Sequence, residues 1–166
     1  VGGVVTVAAV AHLGSLPKMA PGIAVGIDAT WRYLRAGVGG TFLPSQTENA
    51  TGGGGSEIRL VFATAEACVQ EPQGSVRPLA CAGLDIGDMT GTGVGIAVSR
   101  SGSALWLAPR LEGGVSLALS QDLALAVRLG AALPLRRPEF AFSGAENVFR
   151  PASFTGHGAL GVEFRW

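Results

Sequence analysis

Lysine is almost missing from this sequence: Lys18 is the only one, against eleven arginines. Charged residues of every kind make up 14% of the 166 positions, where an ordinary soluble domain has about 25%. The formal net charge is zero, so no field steers a polyanion toward the chain, which argues against nucleic acid as a partner. Arginine in place of lysine suits paired, partly desolvated sites, because its planar fork matches a carboxylate. An unbroken apolar run is also lacking. A membrane helix needs roughly 18 consecutive apolar residues, whereas the best stretch, Val1 to Pro17, is interrupted by Gly2, Gly3, His12, Gly14 and Ser15 and opens with a strand-favouring Val-Val-Thr-Val. No basic segment with a cleavage site opens the chain, so the expectation is a mature form or an excised domain.

What is present is apolar: 48% of residues, with positive mean hydropathy. A chain of this length reads as one domain, 1–166, and cannot hide that much apolar surface in its own core. Much of it must face something other than water. The 26 glycines fit a tightly curved sheet, where glycine relieves crowding at bends.

Eight strand-like segments follow from the alternation of side chains, at about 3–12, 21–29, 31–43, 57–69, 79–89, 103–119, 123–135 and 156–166. The breaks between them alternate. Long ones fall at 13–20, 44–56, 90–102 and 136–155; short ones near Ala29-Thr30, at 70–78 and at Ser120-Gln121-Asp122. On 105–119 the odd positions are nearly all apolar and the even ones include Trp106, Arg110, Glu112 and Ser116. On 123–135 the odd positions are Leu or Val apart from Ala131, and the even ones include Arg128. A turn centred on Gln121 sets Leu117 opposite Leu125 and Val115 opposite Val127, which puts both stripes on one face.

The two cysteines, Cys68 and Cys81, flank a proline-containing hairpin and read as a disulfide worth about 3 kcal/mol by chain entropy, hence an oxidising compartment. Zinc is the rival reading, but two thiols without a nearby histidine do not fill its tetrahedral shell. If Cys68 faces Cys81, then Ala65 faces Leu84, Ala63 faces Ile86, and Glu66 falls on the side of Asp85. The same parity turns Ile23, Val25, Ile27, Leu34, Ala36, Val38 and Phe42 to the apolar face. Asp28, Glu66, Asp85, Glu112 and Glu163 then share the other face with Arg35, Arg110, Arg128 and Arg165.

The last strand carries Leu160, Val162, Phe164 and Trp166 on one face and ends on the aromatic. Such a strand resembles the assembly signal of bacterial outer-membrane β-barrels. With the strand count and loop alternation it makes the chain similar to the small barrels of the OmpA/OmpX type. That resemblance implies an all-β, eight-stranded antiparallel up-and-down transmembrane β-barrel, integral to a bacterial outer membrane, with short periplasmic turns and long extracellular loops. It further implies contact with outer-membrane lipid and lipopolysaccharide, delivery through the barrel assembly machinery, and a monomeric state. Trp31, Phe164 and Trp166 would mark the periplasmic interface, and Phe42 the outer one.

Eight strands enclose an interior that side chains fill, so five acids and four arginines make an ion-pair plug rather than an open pore. A structural or surface-interaction role is the expected function. A small channel is the alternative, as is a soluble lipocalin-like barrel with a lipophilic ligand; the latter would invert the two faces. His12 and His157 are expected as neighbours at the extracellular rim. A metal or catalytic role for them competes with a solvated pair, and no His-x-Ser arrangement accompanies His157, whose flanks are glycine. No cofactor is implied. Gly91-Thr92-Gly93-Val94-Gly95 lacks the Lys-Ser/Thr of a phosphate loop, and Asn49-Ala50-Thr51 carries no weight as a glycosylation triplet. Arg136, Arg137, Phe140, Phe142, Phe149 and Arg150 suit either lipopolysaccharide phosphates or an interfacial rim.

Overall fold

In a computed structural model, which describes residues 1–49, 55–94, 101–136 and 151–166, eight antiparallel strands close into one barrel. They are β1 (Gly2–Leu13), β2 (Ala20–Trp31), β3 (Leu34–Asn49), β4 (Gly55–Gln70), β5 (Val76–Val94), β6 (Ser101–Ala118), β7 (Leu123–Ala132) and β8 (Thr155–Arg165). Each pairs with its neighbour in sequence, and β1 closes on β8. Gly3 and Trp166 exchange backbone hydrogen bonds of 2.9 and 3.1 Å, which ties the last residue to the first strand. Among the described residues no helix is long and apolar enough to cross a membrane.

The registers read from the sequence hold. Cys68 lies opposite Cys81, Ala65 opposite Leu84 and Ala63 opposite Ile86; Leu117 lies opposite Leu125 and Val115 opposite Val127. The apolar stripes face outward. Ile23, Val25, Ile27, Val38, Val61, Ile86, Leu111, Val127, Leu129 and Leu160 are all exposed, and the soluble barrel with an apolar pocket is thereby overturned. A face of this kind must meet hydrocarbon, since no water-soluble sheet leaves so continuous an apolar band uncovered.

Several boundaries differ from expectation. The first short turn is Arg32-Tyr33, not Ala29-Thr30, and Arg32 takes a left-handed φ of 51° to make it. β5 begins at Val76 because Val76, Arg77 and Pro78 already pair with Leu117, Ser116 and Val115 of β6. The larger differences lie at the long-loop end, where β3 to β6 run on through much of 44–56 and 90–102. These segments look like loops because they are rich in Gly, Ser and Thr, yet each pairs with its neighbour: Thr47 with Glu57, Glu57 with Thr92, Thr90 with Ser103.

β3 carries one bulge. Between Leu43↔Leu60 and Gln46↔Ile58, Pro44 and Ser45 stand against the single residue Arg59, and proline fits there because a bulge leaves a backbone donor unused. The extra residue shifts the parity. Gln46 is thereby turned toward the 14–19 loop, where its side chain donates to the Met19 carbonyl (2.8 Å) and accepts from the Lys18 amide (3.1 Å). Pinned in this way, the loop buries Ser15 and Leu16.

Candidate functional site

The lumen is layered. Toward the long-loop end, Leu16, Ala20, Leu43, Ile58, Leu60, Phe62, Met89 and Trp106 form an apolar cluster. Their inward position follows from the strands leaving the bilayer: Arg59 and Asp88 now face out, so the apolar members of the alternation face in. At the short-turn end a smaller cluster joins Leu79 to the disulfide-bonded Cys68 and Cys81. Polar side chains occupy the space between.

Within that space every strand contributes to one connected network. Arg35 of β3 donates to Asp28 of β2 and Glu163 of β8, both at 2.6 Å, and to the Thr6 hydroxyl of β1 at 3.2 Å. Glu163 is fully buried and also accepts from Ser116 (2.7 Å), Arg165 (2.8 Å) and Arg128 (3.2 Å). Arg128 of β7 is the hub, because it donates besides to Glu66 of β4 (2.9 Å) and Glu112 of β6 (3.2 Å). Arg110 contacts Glu112 closely and reaches Asp85 and Thr64 at 3.4 Å, while Thr64 donates to Asp85 at 2.7 Å. The structure thus brings together all nine charged residues singled out from the sequence. Arg77 was missed by that reading: it lies opposite Ser116, half-buried at the short-turn mouth, and donates to the Gly74 carbonyl. Its parity with Leu79 and Cys81 was the available signal.

His12 and His157 face each other across β1 and β8 and stack at 5.3 Å. They are buried within the lumen, so rim is the wrong description; the rings of His12 and Phe62, the latter in the apolar cluster, meet edge to face at 5.6 Å. His157 Nε2 lies 2.8 Å from Glu112 and 2.9 Å from Arg110. With its proton on Nε2 the ring donates to Glu112, and Arg110 is left to donate to the same carboxylate. Gly130 makes this position possible, since a Cβ there would lie 2.5 Å from the His157 ring. Gly37 does the same for Asp28, whose Oδ1 would lie 2.1 Å from such a Cβ. Glu66, Cys68 and Cys81 cluster closely enough to suggest metal ligands, but the sulfurs are bonded to each other.

Of the other sequence candidates, Leu160, Val162 and Phe164 share the outward face of β8, with Val162 half-buried, and Trp166, exposed, follows directly after the strand. Gly91 to Val94 are part of β5. Gly95, Ala50, Thr51, Arg137, Phe140, Phe142, Phe149 and Arg150 lie outside the described residues; Arg136 is exposed.

This architecture is that of small outer-membrane barrels. The chain resembles the neisserial surface protein NspA (16% identity, TM-score 0.63, covering 99% of this chain and 96% of that one). It also resembles a major outer membrane protein of Thermus thermophilus (14%, 0.69, 99% and 99%) and Ail of Yersinia pestis, solved with the heparin analogue sucrose octasulfate (13%, 0.59, 99% and 98%). No family model matches the chain, and no curated protein matches it in sequence. The fold is therefore of the OmpA/OmpX type, and a barrel of that fold with this outward apolar belt is integral to the bacterial outer membrane.

Proposed function

We propose that the chain is a non-conducting, non-enzymatic barrel whose charge-filled lumen braces the wall while its long-loop end serves surface interaction. The observation that carries this reading is the continuous network through all eight strands, bounded by an apolar cluster at each end. A conducting pore needs a wet path, and Leu43, Leu60, Met89 and Trp106 are all buried across one end. Neither histidine has a hydroxyl partner among the described residues, and Glu112 and Arg110 already engage His157, which supports a structural role over nucleophilic catalysis.

The extended β3 to β6 supply the interaction surface. Beyond the apolar belt their outward residues are polar, with Ser45, Thr47, Glu57, Arg59 and Asp88 exposed. Lipopolysaccharide and outer-membrane lipid are the partners the belt and Arg136 suit, the C-terminal strand is the segment for the assembly machinery, and the barrel acts as a monomer. Planar-bilayer recording of the refolded protein tests the non-conducting reading: a flat baseline is expected, and steps of conductance that persist after repurification refute it.

A further inference from the structure

The disulfide lies inside the closed wall. Cys68 and Cys81 face each other on β4 and β5 with their side chains in the lumen, 2% and 5% exposed. Leu79 packs against the pair, and Glu66 Oε1 stands 4.0 Å from Cys68 Sγ. Arg35 is the neighbour of Cys68 on β3, and Glu112 that of Cys81 on β6. Outside, Ala67, Val69, Ala80 and Ala82 belong to the apolar face, so a water-soluble reagent has no approach through the wall.

We propose that this disulfide is made before the barrel closes: a disulfide-carrying oxidant acts on the unfolded chain, and the closed barrel is no longer its substrate. In that reaction the Cys68 thiolate attacks the oxidant's disulfide and expels one thiolate, leaving a mixed disulfide. The Cys81 thiolate then attacks Cys68 Sγ and expels the second. Two electrons and two protons pass from the cysteine pair to the oxidant. The mixed disulfide requires a foreign sulfur and its carrier to sit beside Cys68, where the folded barrel leaves almost no free surface.

Local opening does not relieve the obstruction. Glu66 of β4 is tied to Arg128 of β7, and Asp85 of β5 to Arg110 of β6. Both strands are also paired on their far sides, β4 with β3 and β5 with β6. Swinging the hairpin out breaks two ladders in a bilayer that offers their backbone groups no water, so exposing the sulfurs amounts to opening the barrel. The unfolded chain has no such barrier. Its cysteines are 13 residues apart, and closing a loop of about that size takes well under a microsecond. A chain bound for the outer membrane crosses an oxidising compartment before it closes, so the reaction has its opportunity there. The proposal goes beyond the surface role and stands whether or not that role is correct.

The test offers oxidised glutathione to the fully reduced chain, once refolded in detergent and once unfolded in urea, with N-acetylcysteine as the rate standard in both media. Free thiols are counted by mass after acid quenching and maleimide labelling. The folded chain should be oxidised at least about a hundredfold more slowly than the unfolded one, because only its rare open form reacts; a smaller ratio overturns the proposal. A reduced chain that does not fold at all supports the same order, since closure then requires the bond. Independently, the oxidised barrel is exposed to dithiothreitol over a series of urea concentrations. Its reduction should never outpace unfolding followed by tryptophan fluorescence, and reduction faster than unfolding overturns the proposal.

Discussion

Arg128→Met removes the hub of the lumen while keeping most of its apolar stem. Three carboxylates lose a partner, but unequally. Glu112 keeps Arg110 and His157, and Glu163 keeps Arg35, Arg165 and Ser116. Glu66 loses the one ion pair it makes among the described residues. Breaking a buried pair by removing one partner costs about 3–5 kcal/mol, and with two of the three acids still compensated the lower end, about 3 kcal/mol, is expected. At a urea slope of about 2–3 kcal/mol/M, the unfolding midpoint in lipid vesicles should fall by about 1–1.5 M. Adding Glu66→Gln should return a large part of the loss, because it removes the orphaned charge, so the double-mutant cycle should show coupling of about 1–3 kcal/mol. A loss below about 0.5 kcal/mol, or strict additivity of the two substitutions, refutes the network as a brace.

Other perturbations separate the layers. Val25→Arg, on the outward face, should cost about 2–4 kcal/mol if it lies near the bilayer midplane, whereas Asp88→Arg beyond the belt should cost about 0–1, both read by vesicle unfolding. Cys68→Ser with Cys81→Ser should lower stability by about 3 kcal/mol relative to the oxidised protein, measured under non-reducing conditions. Gly37→Ala should displace Asp28 from Arg35 and speed unfolding, with Gly102→Ala, which meets no atom within 4 Å, as the near-neutral control. Gln46→Ala should release the 14–19 loop, seen as faster cleavage by protease after Lys18 with little change in the global midpoint.

The barrel wall was legible in the sequence because lipid and lumen impose opposite chemistry on alternate residues. Leu117, Leu125 and Val127 read as one face for that reason, and Cys68 with Cys81 fixed the neighbouring register. The same rule concealed the apolar layer at the long-loop end. Where β4 leaves the bilayer its alternation inverts: Val61 and Ala63 face out with Thr64 and Glu66 inside, but one turn of the pattern earlier Arg59 faces out and Leu60 and Ile58 face in. Read as a continuation, those residues look like a loop. The inversion was itself the signal, since charge at 57 and 59 with apolar residues at 58 and 60 marks a strand crossing into water with its inner face covered. The bulge at Pro44-Ser45 hid the role of Gln46, because no alternation survives an added residue. The lumen charges were identifiable singly by parity, but which arginine meets which acid depends on strand stagger, and so Arg128 did not stand out as the hub.

The most direct test of the account is spin-label accessibility in lipid at Val25, Val127 and Leu129 against Ser116 and Ala126, with the native disulfide left oxidised so that only introduced thiols react. Labels on the first three should collide with oxygen dissolved in the bilayer, and the last two should be shielded from it. Protection of the first three with exposure of Ser116 and Ala126 would contradict the outward apolar face on which everything else rests.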